Sequence, residues 1–155
     1  MKSAVIITSV VMFGITMAAQ ATDPIAGTWK LDVARSHYSS GAVPKAQTTI
    51  FETIPHGLRA ISTTLHADGK TTRIDTVFLF DGKDYEVLGT AVKTTRAYSR
   101  PDERHLEWTA REDGKTTTKT ISELSADGNS RTVTTTGHDA QGRTVNNVQV
   151  YDRVR

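Results

Sequence analysis

The 155-residue sequence predicts an all-β protein, an antiparallel up-and-down (meander) β-barrel of about 8–10 strands. Three observations carry the prediction. The chain beyond residue 21 is crowded with Thr, Val, Ile and aromatics, whose branched or flat side chains pack well on a pleated surface. Turn signals recur at short intervals, at Pro55-His56-Gly57, Asp68-Gly69, Asp81-Gly82, Pro101-Asp102, Asp113-Gly114, Asp127-Gly128 and Gln141-Gly142. Between them polar and apolar residues alternate, so one face of each strand is suited to a core.

In chain order, the first element is an export signal. Met1-Lys2-Ser3 is followed by an apolar run from Ala4 to Met17 and by Ala19-Gln20-Ala21, the A-x-A pattern of a cleavage site. The run falls short of the roughly 20 residues that span a bilayer. Residues 1–21 therefore read as a secretory signal peptide and 22–155 as a single β-barrel domain, periplasmic or secreted, with no membrane span once the signal is removed. The chain has no Cys, so exported or not, its stability rests on packing and sheet hydrogen bonds rather than on disulfides.

Candidate strands then fall at 25–32, 47–54, 58–66, 71–80, 84–89, 92–100, 104–112, 116–124, 130–137 and 145–154. Asp-Gly suits hairpin tips because both residues tolerate positive φ, and consecutive hairpins give a meander. Ile74, Thr76, Phe78 and Phe80 share one strand face, and Leu106, Trp108 and Ala110 share another; His105, Glu107, Thr109 and Arg111 lie opposite. So many strands in one small domain close on themselves to avoid unpaired edges. The segment from Val33 to Ala46, with Ser39-Ser40-Gly41 and Pro44, is the longest connection and frames one barrel end. Asp-Gly-Lys-Thr-Thr occurs at 68–72 and again at 113–117; convergent turn chemistry explains this better than duplication.

The 19 Lys and Arg nearly balance the 17 Asp and Glu and are scattered singly, which argues against a nucleic-acid partner. No phosphate-binding loop, dinucleotide fingerprint, nucleophile elbow or zinc-protease motif is present, and nothing implies a cofactor or a metal. The five histidines, 37, 56, 66, 105 and 138, are scattered, several beside turns. His105 and Glu107 share a strand face, but an exposed cross-strand charge pair is a better reading than a metal site. Asp75, Asp84 and Glu86 lie near strand ends, where acids are ordinarily solvated or paired; a glycosidase pair would need a separation that sequence does not give.

Aromatic and cationic residues are the more informative set. Arg96, Tyr98 and Arg100 alternate on one face of their strand. Facing inward they make an amphipathic pocket; facing outward they make a solvated basic face, and a one-residue change of register exchanges the two. Outward is favoured for the two arginines as a pair, because burying both without acids is expensive. The candidate ligand-binding residues are Phe78, Tyr98, Trp108, Tyr151 and Arg96, against the alternative that the aromatics are core filler.

Gly27-Thr28-Trp29-Lys30-Leu31 resembles the G-x-W opening strand of lipocalins and fatty-acid-binding proteins, the calycin group of barrels. Val150-Tyr151-Asp152-Arg153 resembles the closing strand of fatty-acid-binding proteins, and Trp108 followed by Asp113-Gly114-Lys115-Thr116-Thr117 also has a counterpart there. The resemblance implies a lipocalin/calycin-like barrel in which Trp29 closes one end, packed against the late-strand cation Arg153. The segment after the first strand is too short, and too rich in Gly, Pro and Ser, for the helical lid of fatty-acid-binding proteins. Their closing R-x-Y falls on Gln149 and Tyr151, so only the Tyr carries over and a buried carboxylate lacks that cation.

A wider resemblance, to exported bacterial lipocalin-like proteins of no established activity, rests on Trp29-Lys30-Leu31-Asp32 with Arg35-Ser36, on Asp81-Gly82-Lys83-Asp84-Tyr85 with Val87 and Gly89, and on Gly137 to Gly142 leading into Asn146-Asn147-Val148. The resulting expectation is a non-enzymatic exported barrel that binds a small hydrophobic or amphipathic molecule. It requires a connected interior cavity of roughly 300 Å³ or more. The alternative is a structural or protein-interaction module of the cell envelope with a solid core.

Overall fold

A computed structural model describes residues 22–155, and the expected signal peptide, residues 1–21, lies outside the described residues. Ten strands follow one another: β1 (Gly27–His37), β2 (Ala46–Ile54), β3 (Gly57–Leu65), β4 (Thr71–Leu79), β5 (Asp84–Val87), β6 (Thr94–Asp102), β7 (His105–Glu112), β8 (Lys115–Leu124), β9 (Ser130–His138) and β10 (Thr144–Arg153). They form one antiparallel sheet in the order β4-β3-β2-β1-β10-β9-β8-β7-β6-β5. Each strand pairs with its neighbour in sequence except at one place, between β4 and β5. β1 pairs with β10, which joins the two ends of the chain. Between β4 and β5 the ladder shrinks to a single bridge, Asp75 with Leu88, so the barrel is nearly rather than fully closed. Thr76 Oγ1 donates to Glu86 O across the same seam.

The turns refine the expectation from Asp-Gly. Asp113-Gly114 is a two-residue hairpin with both residues at positive φ, 47° and 79°, the combination whose twist matches the flanking strands. At Asp68-Gly69 only Gly69 is at positive φ, and the Asp68 carboxylate instead accepts the Lys70 amide. Asp81 accepts the Lys83 amide, Asp127 that of Asn129 and Asp139 that of Gln141 in the same way. Such side-chain acceptance two residues on is the Asx turn, in which aspartate serves as a backbone substitute. The repeated Asp-Gly-Lys-Thr-Thr thus makes two different turns.

Two boundaries differ from the sequence reading for identifiable reasons. β1 runs on to His37 instead of ending at Asp32, through an irregularity in its pairing with β10. Ser36 stabilises it: its hydroxyl donates to Asp32 O and accepts the Val150 amide. The connection that was expected to begin at Val33 is therefore shortened to residues 38–45. β6 likewise passes through Pro101, and the turn falls at Glu103-Arg104. Pro101 sits where the β6–β7 register slips, a position at which its missing N–H breaks no ladder bond.

Inward-facing side chains meet in one cluster that includes Ile25, Trp29, Leu31, Phe51, Leu58, Phe78, Leu106, Leu124 and Tyr151. Its densest part closes the end of the barrel where β1 begins. There Trp29 is fully buried and its indole N–H donates to Ile25 O at 2.9 Å. Arg153 lies over the indole at 4.2 Å and donates to the carbonyls of Pro24, Ala26 and Gly128. The expected contact of Trp29 with Arg153 is therefore present. Gly27, at φ 127°, lets the arginine pass: a Cβ there would stand 2.8 Å from its Nη1. Asp23 adds a long-range ion pair with Arg100, each side chain only 13% exposed.

Candidate functional site

Beyond the Trp29 plug the interior holds a cavity of about 190 Å³. β1 starts at the plug and ends at His37, so the 38–45 connection lies at the opposite, loop-bearing end. All five candidate residues, Phe78, Tyr98, Trp108, Tyr151 and Arg96, line this one cavity. They come from β4, β6, β7 and β10, brought together because an inward position on any strand of a small barrel faces the common axis. Phe78 and Tyr98 stack at 3.6 Å between centroids with an interplanar angle of 12°, and Trp108 lies 5.9 Å from Tyr98.

Much of the remaining lining is polar. Gln47, Thr49, Ser62, Thr118, Thr120, Thr135 and Gln149 all contribute. Several are paired among themselves: Thr49 with Ser62 at 2.7 Å, Thr120 with Thr135 at 3.0 Å. A further chain begins at the loop end, where Gln149 donates to the Tyr38 hydroxyl; Tyr151 in turn donates to Gln47 Oε1 at 3.0 Å. Burial pushes the Tyr151 hydroxyl above its ordinary pKa, and the positive charges of Arg131 and Arg96 pull the other way. Burial raises Tyr98 as well, against the pull of Arg96. Both tyrosines are therefore neutral donors at physiological pH.

The outward expectation for Arg96 and Arg100 is overturned. Tyr98 is only 3% exposed, and the same face carries Arg96 into the cavity, 5.8 Å from the Trp108 ring. Arg100 finds its acid in Asp23, 77 residues away. Arg96 has none: its Nε is buried without a hydrogen-bond partner among the described residues.

The residue that the sequence reading missed is Arg131. It stands directly opposite Tyr151 in the β9–β10 register, is 3% exposed and lines the cavity. Its guanidinium carbon lies 4.8 Å from the Phe51 ring, 4.9 Å from Tyr151 and 5.5 Å from Trp29. Burial pushes its pKa down to about 10, still charged at neutral pH, and its Nε has no partner among the described residues. Among the described residues no Asp or Glu lines the cavity. The signal was available in Arg131, Val133 and Thr135 alternating on one strand face, with Val133 marking that face as inward. The cation judged absent at Gln149 is thus supplied from the neighbouring strand.

The remaining polar candidates are dispersed on the outside. Asp75 forms a two-pronged pair with Arg59, which holds its carboxyl below the usual range, and Asp84 pairs with Arg111. His105 faces Asp102 at 2.7 Å and Glu123 across the strand at 3.9 Å, while Glu107 meets Lys119 at 3.3 Å. These are cross-strand and turn charge pairs, as the sequence reading preferred.

The fold and its interior define a nearly closed up-and-down barrel, ten antiparallel strands around an axial cavity. Among solved structures the chain is similar to the zebrafish ileal bile acid-binding protein complexed with cholic acid. The TM-score is 0.52 and the identity 15%, over 84% of this chain and 99% of that one. At that identity the likeness concerns the fold. No protein-family model and no curated protein matches the chain. The resemblance to exported bacterial proteins therefore finds no support, and the barrel of the fatty-acid and bile-acid binding proteins is the stronger match.

Proposed function

We propose that this protein is an exported, non-enzymatic barrel, periplasmic or secreted, that holds a small amphipathic molecule on its axis. The observation that carries the reading is the composition of the cavity wall: aromatics, with Phe78 and Tyr98 stacked and Trp108 beside them, are mixed there with hydroxyls, amides and the arginines Arg96 and Arg131. Convergent polar groups in a concave, largely apolar interior are the usual mark of a ligand site. The bile acid-binding neighbour is consistent with it at the level of the fold. Export rests on the pattern of residues 1–21.

At about 190 Å³ the cavity falls short of the roughly 300 Å³ that the reading required. The occupant is accordingly compact, smaller than a bile acid or a long acyl chain. The small volume also favours the second reading, an envelope module with a largely solid core. That module would act through the β4–β5 seam, where Val77 and Leu88 are 51% and 58% exposed. Native mass spectrometry of protein recovered from the cell envelope separates the two. A reproducible bound mass, displaced by a lipophilic dye, is expected. Repeated absence of bound mass together with no dye response would replace the first reading with the second.

A further inference from the structure

From two cavity-lining arginines whose Nε atoms lack hydrogen-bond partners among the described residues we infer that the cavity is a site for a compact organic carboxylate, an aryl or short-chain acid whose charge meets Arg131 and Arg96 and whose body lies along Phe78, Tyr98 and Trp108. The inference deepens the ligand-holding reading and rests on it. Two guanidiniums line a partly open cavity, and among the described residues no Asp or Glu lines it with them. Burying a cation without a counter-charge is unfavourable unless something else compensates.

For Arg131 the compensation is partial. Three rings lie within 5.5 Å of its guanidinium carbon, which satisfies a flat cation at its faces. Cation-π contacts engage the face of the guanidinium, and its in-plane Nε–H is buried without a partner among the described residues. A planar carboxylate matches that fork, whereas a neutral amide or alcohol brings no charge. Arg96, half-buried on β6, has one ring, Trp108, at 5.8 Å and its own Nε without a partner among the described residues. The Tyr151 hydroxyl beside Arg131 already donates to Gln47 Oε1, so the charge of the ligand falls to the guanidiniums. This is not the R-x-Y arrangement, since Gln149 occupies that arginine's position and the cations come from β9 and β6.

Size and lining restrict the class further. About 190 Å³ admits a carboxylate with a ring or a few carbons, not a long chain. Inorganic phosphate would answer the charges but leave the stacked Phe78–Tyr98 surface uncovered.

The test is calorimetric titration of the purified protein at neutral pH with benzoate, benzamide, inorganic phosphate and palmitate. Benzoate is expected to bind at least tenfold more tightly than each of the others. Its affinity should fall at least tenfold in Arg131→Met and in Arg96→Met, and stay unchanged in Lys119→Met, which removes a cation from the outer face. If Arg131→Met does not fold, Arg96→Met and the wild-type series decide. Benzamide binding as well as benzoate overturns the carboxylate assignment and leaves the ligand-holding reading intact. Phosphate or palmitate binding more tightly overturns the assigned class. If no probe binds while native mass spectrometry still shows a bound mass, this inference falls alone; with no bound mass, both readings fall.

Discussion

Two arginines lie over the same indole and do different things. Arg153, 4.2 Å from the Trp29 ring, spends its N–H groups on the carbonyls of Pro24, Ala26 and Gly128. Arg131, 5.5 Å from the same ring, is more deeply buried, yet its Nε has no partner among the described residues. The first ties the start of the chain to its end and completes the barrel's closed end. The second stands in a cavity wall with capacity left over. A cation's role is read here from its unmet hydrogen bonds rather than from its burial or its ring contacts, which the two arginines share.

The comparison can be broken most forcefully at the indole they share. Trp29→Ala removes a fully buried side chain and should cost about 3–5 kcal/mol in urea denaturation. A loss under about 1 kcal/mol would show that the closed end is not the keystone of the barrel. At the same end, Asp23→Ala strands the largely buried Arg100 and should cost roughly 3 kcal/mol, seen as a lowered urea midpoint with unchanged slope.

The two arginines should then separate in sign. Arg153→Met leaves three carbonyls without their donor and is expected to destabilise by about 1–3 kcal/mol. Arg131→Met, by contrast, removes an unpaired buried charge and is expected to be neutral or stabilising by about 1 kcal/mol in ligand-free protein. Equal losses in the two variants would erase the distinction drawn between them.

The smallest effect belongs to the seam. Arg59 holds the Asp75 carboxyl below its ordinary value. The pair's contribution is therefore complete above the unfolded carboxylate range near pH 4, and is lost as pH falls through the lower folded value. Asp75→Asn should flatten the acid limb of stability against pH between about 4 and 2, by no more than about 1 kcal/mol because the Arg59 partner is 39% exposed. An unchanged acid limb would show that the seam is held by the Asp75–Leu88 backbone bridge alone.

Much of this molecule was legible without coordinates. Period-two alternation marked Phe78, Leu106 and Trp108 as inward residues, and Asp-Gly marked the hairpin tips, because strand faces and turns are set by residues adjacent in the chain. G-x-W and the closing Val150-Tyr151-Asp152-Arg153 pointed to the Trp29–Arg153 contact. Arg96 and Arg100 were misjudged as a pair because the acid that satisfies one of them, Asp23, lies 77 residues upstream. Arg131 was overlooked because strand propensity treats a single arginine among threonines as a solvated residue.

The sequence by itself determined a meander of antiparallel strands, the core-facing side of the strands that carry Phe78 and Trp108, and the aromatic candidates for the cavity wall, all of which follow from local chemistry and side-chain period. Only the tertiary structure decided that the barrel closes through β1 and β10, narrows to a single bridge between β4 and β5, and encloses about 190 Å³. It alone set Arg131 opposite Tyr151 and left Arg96 and Arg131 without acids. Whether a buried charge is paired depends on which strands meet across the axis, and that relation joins residues too far apart in sequence for any local pattern to carry it.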